Sequence, residues 1–141
     1  MRMRLVLDTN VIVAAFRSRH GASNLLLRSA DQGLITPLCS TALFLEYEAV
    51  LSRDVVREAT GHTLADVGAV MAALAAIAEG VDISFRTRPM LADAADEMVL
   101  EAALNGEAEA IVTHNVKDFR PAQQLGMTVV PPGQIVRRLN A

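Results

Sequence analysis

Cysteine is almost absent from the sequence. Cys39 stands alone, which excludes an internal disulfide, and no His or second Cys lies near it at the spacing of a zinc site. It is read as a small core residue. The three histidines, His20, His62 and His114, are accompanied by no G-x-S-x-G turn, so a serine or cysteine hydrolase is not indicated. Long apolar runs are lacking too. None reaches the roughly 18 to 20 residues of a membrane span, and the two arginines within Met1 to Arg4 lead into a strand-like run too short for a signal peptide. The expectation is a soluble, cytoplasmic protein with no membrane partner. Positive charge is not in excess either: the net charge is −3, unlike a protein that coats nucleic acid through bulk basicity. Lysine is nearly missing, since every basic residue but Lys117 is an arginine. The planar guanidinium is the better group for bidentate phosphate contacts, but the arginines are dispersed and would matter only where the fold gathers several.

What is present is a chain of 141 residues, 52% hydrophobic, without repeat, linker or low-complexity tract. That is the size and apolar content of one domain, residues 1–141, with a full core. Residues 3–7 read as a strand running into a helix that starts near Thr9 and includes Val11 to Phe16. A helix over 22–32 stops at Gly33, a short strand follows over 34–38, and Ser40 or Thr41 caps a helix reaching about Ser52. Thr60 or Thr63 caps an alanine-rich helix through Ala78, in which Val67, Val70, Met71, Leu74 and Ile77 recur at helical spacing. VDISF, residues 81–85, is a weak strand candidate. Asp93 precedes a helix to about Asn105, residues 110–113 and 127–130 are strands around a single helical turn, and Pro131 and Pro132 introduce a last helix. Strands alternating with helices predict a parallel sheet covered on both faces.

Open parallel sheets bind ligands at the carboxyl ends of their strands, and Asp8 sits at the first such end. There it can equally serve as a helix N-cap. In the helix beginning near Asp93, Asp96, Val99, Leu100 and Ala103 follow helical spacing, which turns the Asp96 carboxylate inward. The alternative is a capping box with Asp93. Glu97 and Glu101 share another face and are expected to be solvated. In the helix of 41–52, Glu46 flanks the stripe of Leu43, Tyr47, Val50 and Leu51, and Glu48 lies somewhat further round, a distinction that periodicity leaves marginal. VTHNVKDF, residues 112–119, supplies Asn115 and Asp118 at another strand end, where each could also be a turn former.

Two strand ends and two inward helix faces thus offer Asp8, Glu46, Asp96 and Asp118, with Asn10, Thr113 and Asn115 nearby. Carboxylates gathered so closely repel one another unless a cation lies among them. Hard oxygen ligands without a Cys or His cluster suit Mg²⁺ or Mn²⁺, ions that keep waters and share phosphate ligands. That chemistry points to phosphodiester hydrolysis. Two rivals fit less well: an aspartate-nucleophile phosphatase wants an acid at position 10, where Asn10 stands, and a signal receiver wants an Asp at the end of LITPL.

LDTNVIVAAF, the glutamate of LEYEAVL, DAADEMVLEAAL and IVTHNVKDF, in that order, resemble the signature of PIN-domain ribonucleases, and among them the small members that act as toxins of toxin–antitoxin pairs. The resemblance covers nearly the whole chain and implies a Rossmann-like three-layer α/β/α fold with a central parallel sheet. It further implies a metal-dependent RNA-cleaving site, with Asp8, Glu46 and Asp96 matching the first three acids. The fourth motif departs: many members have an aspartate where this chain has Asn115, and Asp118 is the carboxylate that remains. On this resemblance Asp8, Glu46, Asp96 and Asp118 hold one or two Mg²⁺ or Mn²⁺ ions, Asn10 orients Asp8 or a metal-bound water, and Thr9, Thr113 and Asn115 assist. The partners it implies are an RNA substrate, a second copy in a homodimer and an antitoxin that covers the cleft. The alternative is a catalytically impaired PIN fold that binds RNA or a protein partner.

Overall fold

The structure, a computed structural model, describes residues 2–140. Five short parallel strands form its sheet: β1 (Met3–Leu7), β2 (Ile35–Cys39), β3 (Glu79–Gly80), β4 (Ala110–Val112) and β5 (Val129–Val130), in the order β3-β2-β1-β4-β5. Leu5, Val6 and Leu7 are all buried, so β1 is apolar towards both faces, as a central parallel strand must be. Pro37 lies inside β2, where its missing N–H could break a ladder. Because β3 pairs only with Leu38 and Cys39, however, the sheet at Pro37 has a neighbour on one side alone.

The helices are α1 (Thr9–Arg17), α2 (Ala22–Asp31), α3 (Thr41–Leu51), α4 (Asp54–Thr60), α5 (Leu64–Ile77), α6 (Ala94–Asn105), α7 (Arg120–Gln124) and α8 (Pro132–Leu139). A 3-10 turn spans Val116–Phe119. α6 packs across β1, β2 and β4 and against α3, while α2 packs against α1, α8 and β2. This is the expected three-layer α/β/α arrangement around a parallel sheet. Between the two alternatives for the start of α5, Thr63 is the cap, in a complete capping box with Asp66. No single helix among the described residues is long and apolar enough to cross a membrane.

Three features depart from the sequence reading. α4 was not indicated by the pattern, because its seven residues bury none of their side chains and so carry no apolar stripe. The strand expected over 81–85 lies instead at Glu79–Gly80. Val81 gives the last rung, its N–H donating to the Cys39 carbonyl at 3.0 Å. Beyond it the peptide groups are met by a side chain: Asn105 Oδ1 accepts from the Ser84 and Phe85 amides at 2.8 and 3.2 Å, and its Nδ2 donates to the Phe85 carbonyl at 3.0 Å. Finally, Glu97 and Glu101, expected to be solvated, are each only 4% exposed. Glu97 accepts from the Met90 and Leu91 amides at 2.6 and 2.8 Å, and Glu101 takes a two-pronged contact from Arg88 at 2.7 and 3.0 Å. The segment before Asp93 folds over this face of α6 and removes both acids from water.

Candidate active site

In a sheet ordered β3-β2-β1-β4-β5, the chain moves outward from β1 on one side and resumes with β4 on the other. The crevice between the carboxyl ends of β1 and β4 is therefore the topological switch point, where sheets of this kind receive ligands. Leu7 pairs with Val112, so Asp8 and Thr113 are the first residues beyond each strand. The Asp8 amide continues the ladder, donating to the Val112 carbonyl at 2.9 Å.

Asp8 makes two contacts at the strand end. It is the N-cap of α1, its Oδ1 accepting from the Thr9 amide at 2.7 Å, and its Oδ2 accepts from the Thr113 hydroxyl at 2.7 Å. The Thr113 oxygen itself accepts from the Asn115 amide at 3.0 Å and from Asn10 Nδ2 at 3.4 Å. With both lone-pair directions engaged, its single proton is directed at Asp8. Asn10 reaches Asp8 only through Thr113, and its Oδ1 accepts from the His114 amide at 3.3 Å, tying α1 to the loop after β4. Burial pushes the Asp8 carboxyl above the usual carboxylate range. The hydrogen bonds from Thr113 and Thr9 pull the other way, and the charge of Asp93 adds to the rise.

Asp96, in the first turn of α6, is half-buried, and its carboxyl is pushed up to about 7, first by desolvation and then by Asp8, Asp93, Asp118 and Glu97. No hydrogen bond from the described residues offsets this rise. The capping box that would have explained its inward aim does not form. Asp93 caps α6 by accepting from the Ala95 amide at 2.8 Å, and Asp96 does not return the contact.

Asp118 is exposed on the 3-10 turn, its amide donating to the Asn115 carbonyl at 3.0 Å. Asn115 precedes that turn without capping it through its side chain. Glu46 stands half-buried on α3, whereas Glu48 is exposed. Ser40 caps this helix by accepting from the Leu43 amide at 3.1 Å, and the buried Tyr47 fastens it to the site by donating its hydroxyl to the Leu7 carbonyl. Glu46 is nevertheless not among the charges acting on Asp8 or Asp96. The acids brought together are Asp8, Asp96 and Asp118, joined by Asp93, which the sequence marked only as a cap. Its signal was its place one turn before Asp96. No three His, Cys, Asp or Glu side chains among the described residues form a ready chelating group.

A family model described as PIN domain matches residues 4–117. The chain belongs to the PIN-domain family. No match was found among curated proteins. The PIN domain is a nuclease-type fold whose members generally use divalent metals and engage RNA. The matched span takes in Asp8, Glu46, Asp93, Asp96, Thr113 and Asn115 and stops one residue before Asp118, the acid on the departing motif.

Proposed function

We propose that this PIN domain is an Mg²⁺- or Mn²⁺-dependent endoribonuclease that hydrolyses RNA phosphodiester bonds, and that it works as the toxin of a toxin–antitoxin pair. The observation that carries the reading is the gathering of Asp8, Asp93, Asp96 and Asp118 at the switch point, with Asp96 raised to about 7 and no hydrogen bond compensating it. A cluster of like charges opposes folding, and a hard cation relieves that opposition. The donor set fits such an ion. All four groups are carboxylates, and since no three of the described side chains close a cage, water and substrate oxygens complete the coordination.

In this proposal Asp8, Asp96 and Asp118 hold the ion, Asp93 adds its charge nearby, and Glu46 is assigned to the ion on the family resemblance alone, since it is not among the charges acting on Asp8 or Asp96. A bound divalent ion supplies positive charge that acidifies water and offsets the charge of a phosphate. The protein's own contribution is placement. Thr9 and Thr113 fix both oxygens of Asp8, Asn10 and the Asn115 amide fix Thr113, and Tyr47 holds α3 against the end of β1. The same reading has the chain act as a single domain in the cytoplasm, as a homodimer silenced by an antitoxin. The family resemblance supports this.

The test is cleavage of a labelled single-stranded RNA by purified protein with Mn²⁺, with Mg²⁺ and with EDTA, beside Asp8→Asn and Asp96→Asn. Metal-dependent cutting that both folded variants lose supports the proposal. Wild type that binds RNA but never cuts it overturns it. That second outcome would favour a binding module, a reading that draws on Asn115 at the departing motif. Growth arrest on expression of wild type, and not of Asp8→Asn, tests the toxin role.

A further inference from the structure

On α1, Asn10, Val13, Ala14 and Arg17 fall at helical spacing and form one stripe. The stripe starts beside the acids, through the bonds of Asn10 to Thr113 and to the His114 amide. It ends about 10 Å away at Arg17, given a rise of about 1.5 Å per residue. Val50 of α3 and Val56 of α4 make the opposite wall of a groove of about 430 Å³. Thr9, next to Asp8, and His114 also line it, with Ser23 Oγ 3.2 Å from the His114 Nε2. Val13, Ala14, Val50 and Val56 are all half-buried, and Arg17 is exposed.

The groove therefore has three zones in a line: hydrogen-bonding groups next to the acids, an aliphatic middle and a cation at the far end. A nucleotide flanking a scissile phosphate presents the complementary order, since its base is a flat, largely apolar surface and its next phosphate is an anion suited to guanidinium. We propose that this groove is a nucleobase subsite, in which Val13, Val50 and Val56 cover one base of a single-stranded RNA and Arg17 meets the phosphate beyond it. The inference rests on RNA being the substrate. A duplex would keep its bases stacked away from the aliphatic walls, so the subsite selects unpaired RNA.

Binding in EDTA tests the subsite without any need for cleavage. The probes are a fluorescein-labelled single-stranded RNA of mixed sequence and an oligonucleotide of the same length with abasic riboses throughout, both followed by anisotropy. Wild type is expected to bind the intact RNA about tenfold more tightly, as for one base taken out of water. Val56→Asp is expected to abolish that preference, and Val50→Thr, which keeps the side-chain shape and so the fold, to reduce it. Arg17→Ala, at an exposed position, should weaken both probes alike and lower the slope of log Kd against log salt by about 0.7. Equal Kd values for the two probes, or a preference that survives Val56→Asp and Val50→Thr, overturn the assignment and leave the groove to an apolar side chain of a protein partner. A chain that prefers intact RNA here but cuts none with Mn²⁺ keeps the subsite and loses the nuclease reading. One that cuts both probes equally with Mn²⁺ does the reverse.

Discussion

At the scale of single residues, the site depends on how a buried carboxylate is held in place. Desolvation raises the Asp8 carboxyl, and the two hydrogen bonds that oppose it come from the Thr9 amide and the Thr113 hydroxyl. Thr113 is fully buried, so no water replaces its hydroxyl if that is removed. Thr113→Val should therefore leave a buried acceptor unpaired, at a cost of about 1–3 kcal/mol, and raise the Asp8 carboxyl further. If Asp8 holds the ion as proposed, cleavage should fall about 10- to 100-fold near neutral pH, as for other residues that orient a metal ligand. The acidic limb of the pH–rate profile should also move to higher pH, which a purely structural loss would not produce. The separate parts of this arrangement were legible in the sequence, because Asp8 and Thr113 each follow an apolar strand. Their bond was not: it joins residues 105 apart and depends on a register that pattern alone does not set.

At the scale of elements, α6 does more than present Asp96. Glu97, Glu101 and Asn105, four residues apart, bind the irregular segment that leads into Asp93, so the position of two site acids depends on that face. Charged residues at such spacing usually lie in water, which is why the sequence suggested solvated glutamates. The covering segment has no periodicity to reveal it, although Arg86 and Arg88 upstream of two acids were a hint. Glu97→Ala should strand the Met90 and Leu91 amides and destabilise the fold by about 2–3 kcal/mol. Hydrogen exchange should accelerate at those two amides before any change in β1. The end of α6 is constrained differently. A Cβ on Gly106 would lie 2.8 Å from the Ala102 carbonyl oxygen and 2.9 Å from Val81 Cγ2. Gly106→Ala should thus cost about 1–3 kcal/mol through overpacking, read as a lower urea midpoint with an unchanged m-value. The short α4, by contrast, has no fully buried side chain to mark it in the sequence.

At the scale of the whole molecule, alternating strands and helices were enough to indicate the parallel sheet, and sheet order then places the acids at its switch point. That placement sets folding against function. The Asp96 carboxyl stands at about 7 in the fold and near 4 in an unfolded chain. Below about pH 4 both states hold the proton and no penalty arises. Between about 4 and 7 the folded state binds more protons than the unfolded one, so metal-free stability falls as pH rises, and above 7 the loss is complete. Asp8, also raised, contributes with the same sign. Asp96→Asn should therefore flatten this slope and make the metal-free protein more stable at pH 8, by on the order of 1 kcal/mol. A cation held by these carboxylates acts in the opposite sense. Mn²⁺ at a hundred times its Kd stabilises the native state by about 2.7 kcal/mol. Because protons compete for the same oxygens, the rise in Tm should be large at pH 8 and small at pH 5.5. Asp96→Asn should lose most of that rise while keeping its higher metal-free Tm. A variant that gained stability yet responded to Mn²⁺ as wild type does would show that Asp96 strains the fold without binding the ion, and the metal would then have to be assigned to Asp8 and Asp118 without it.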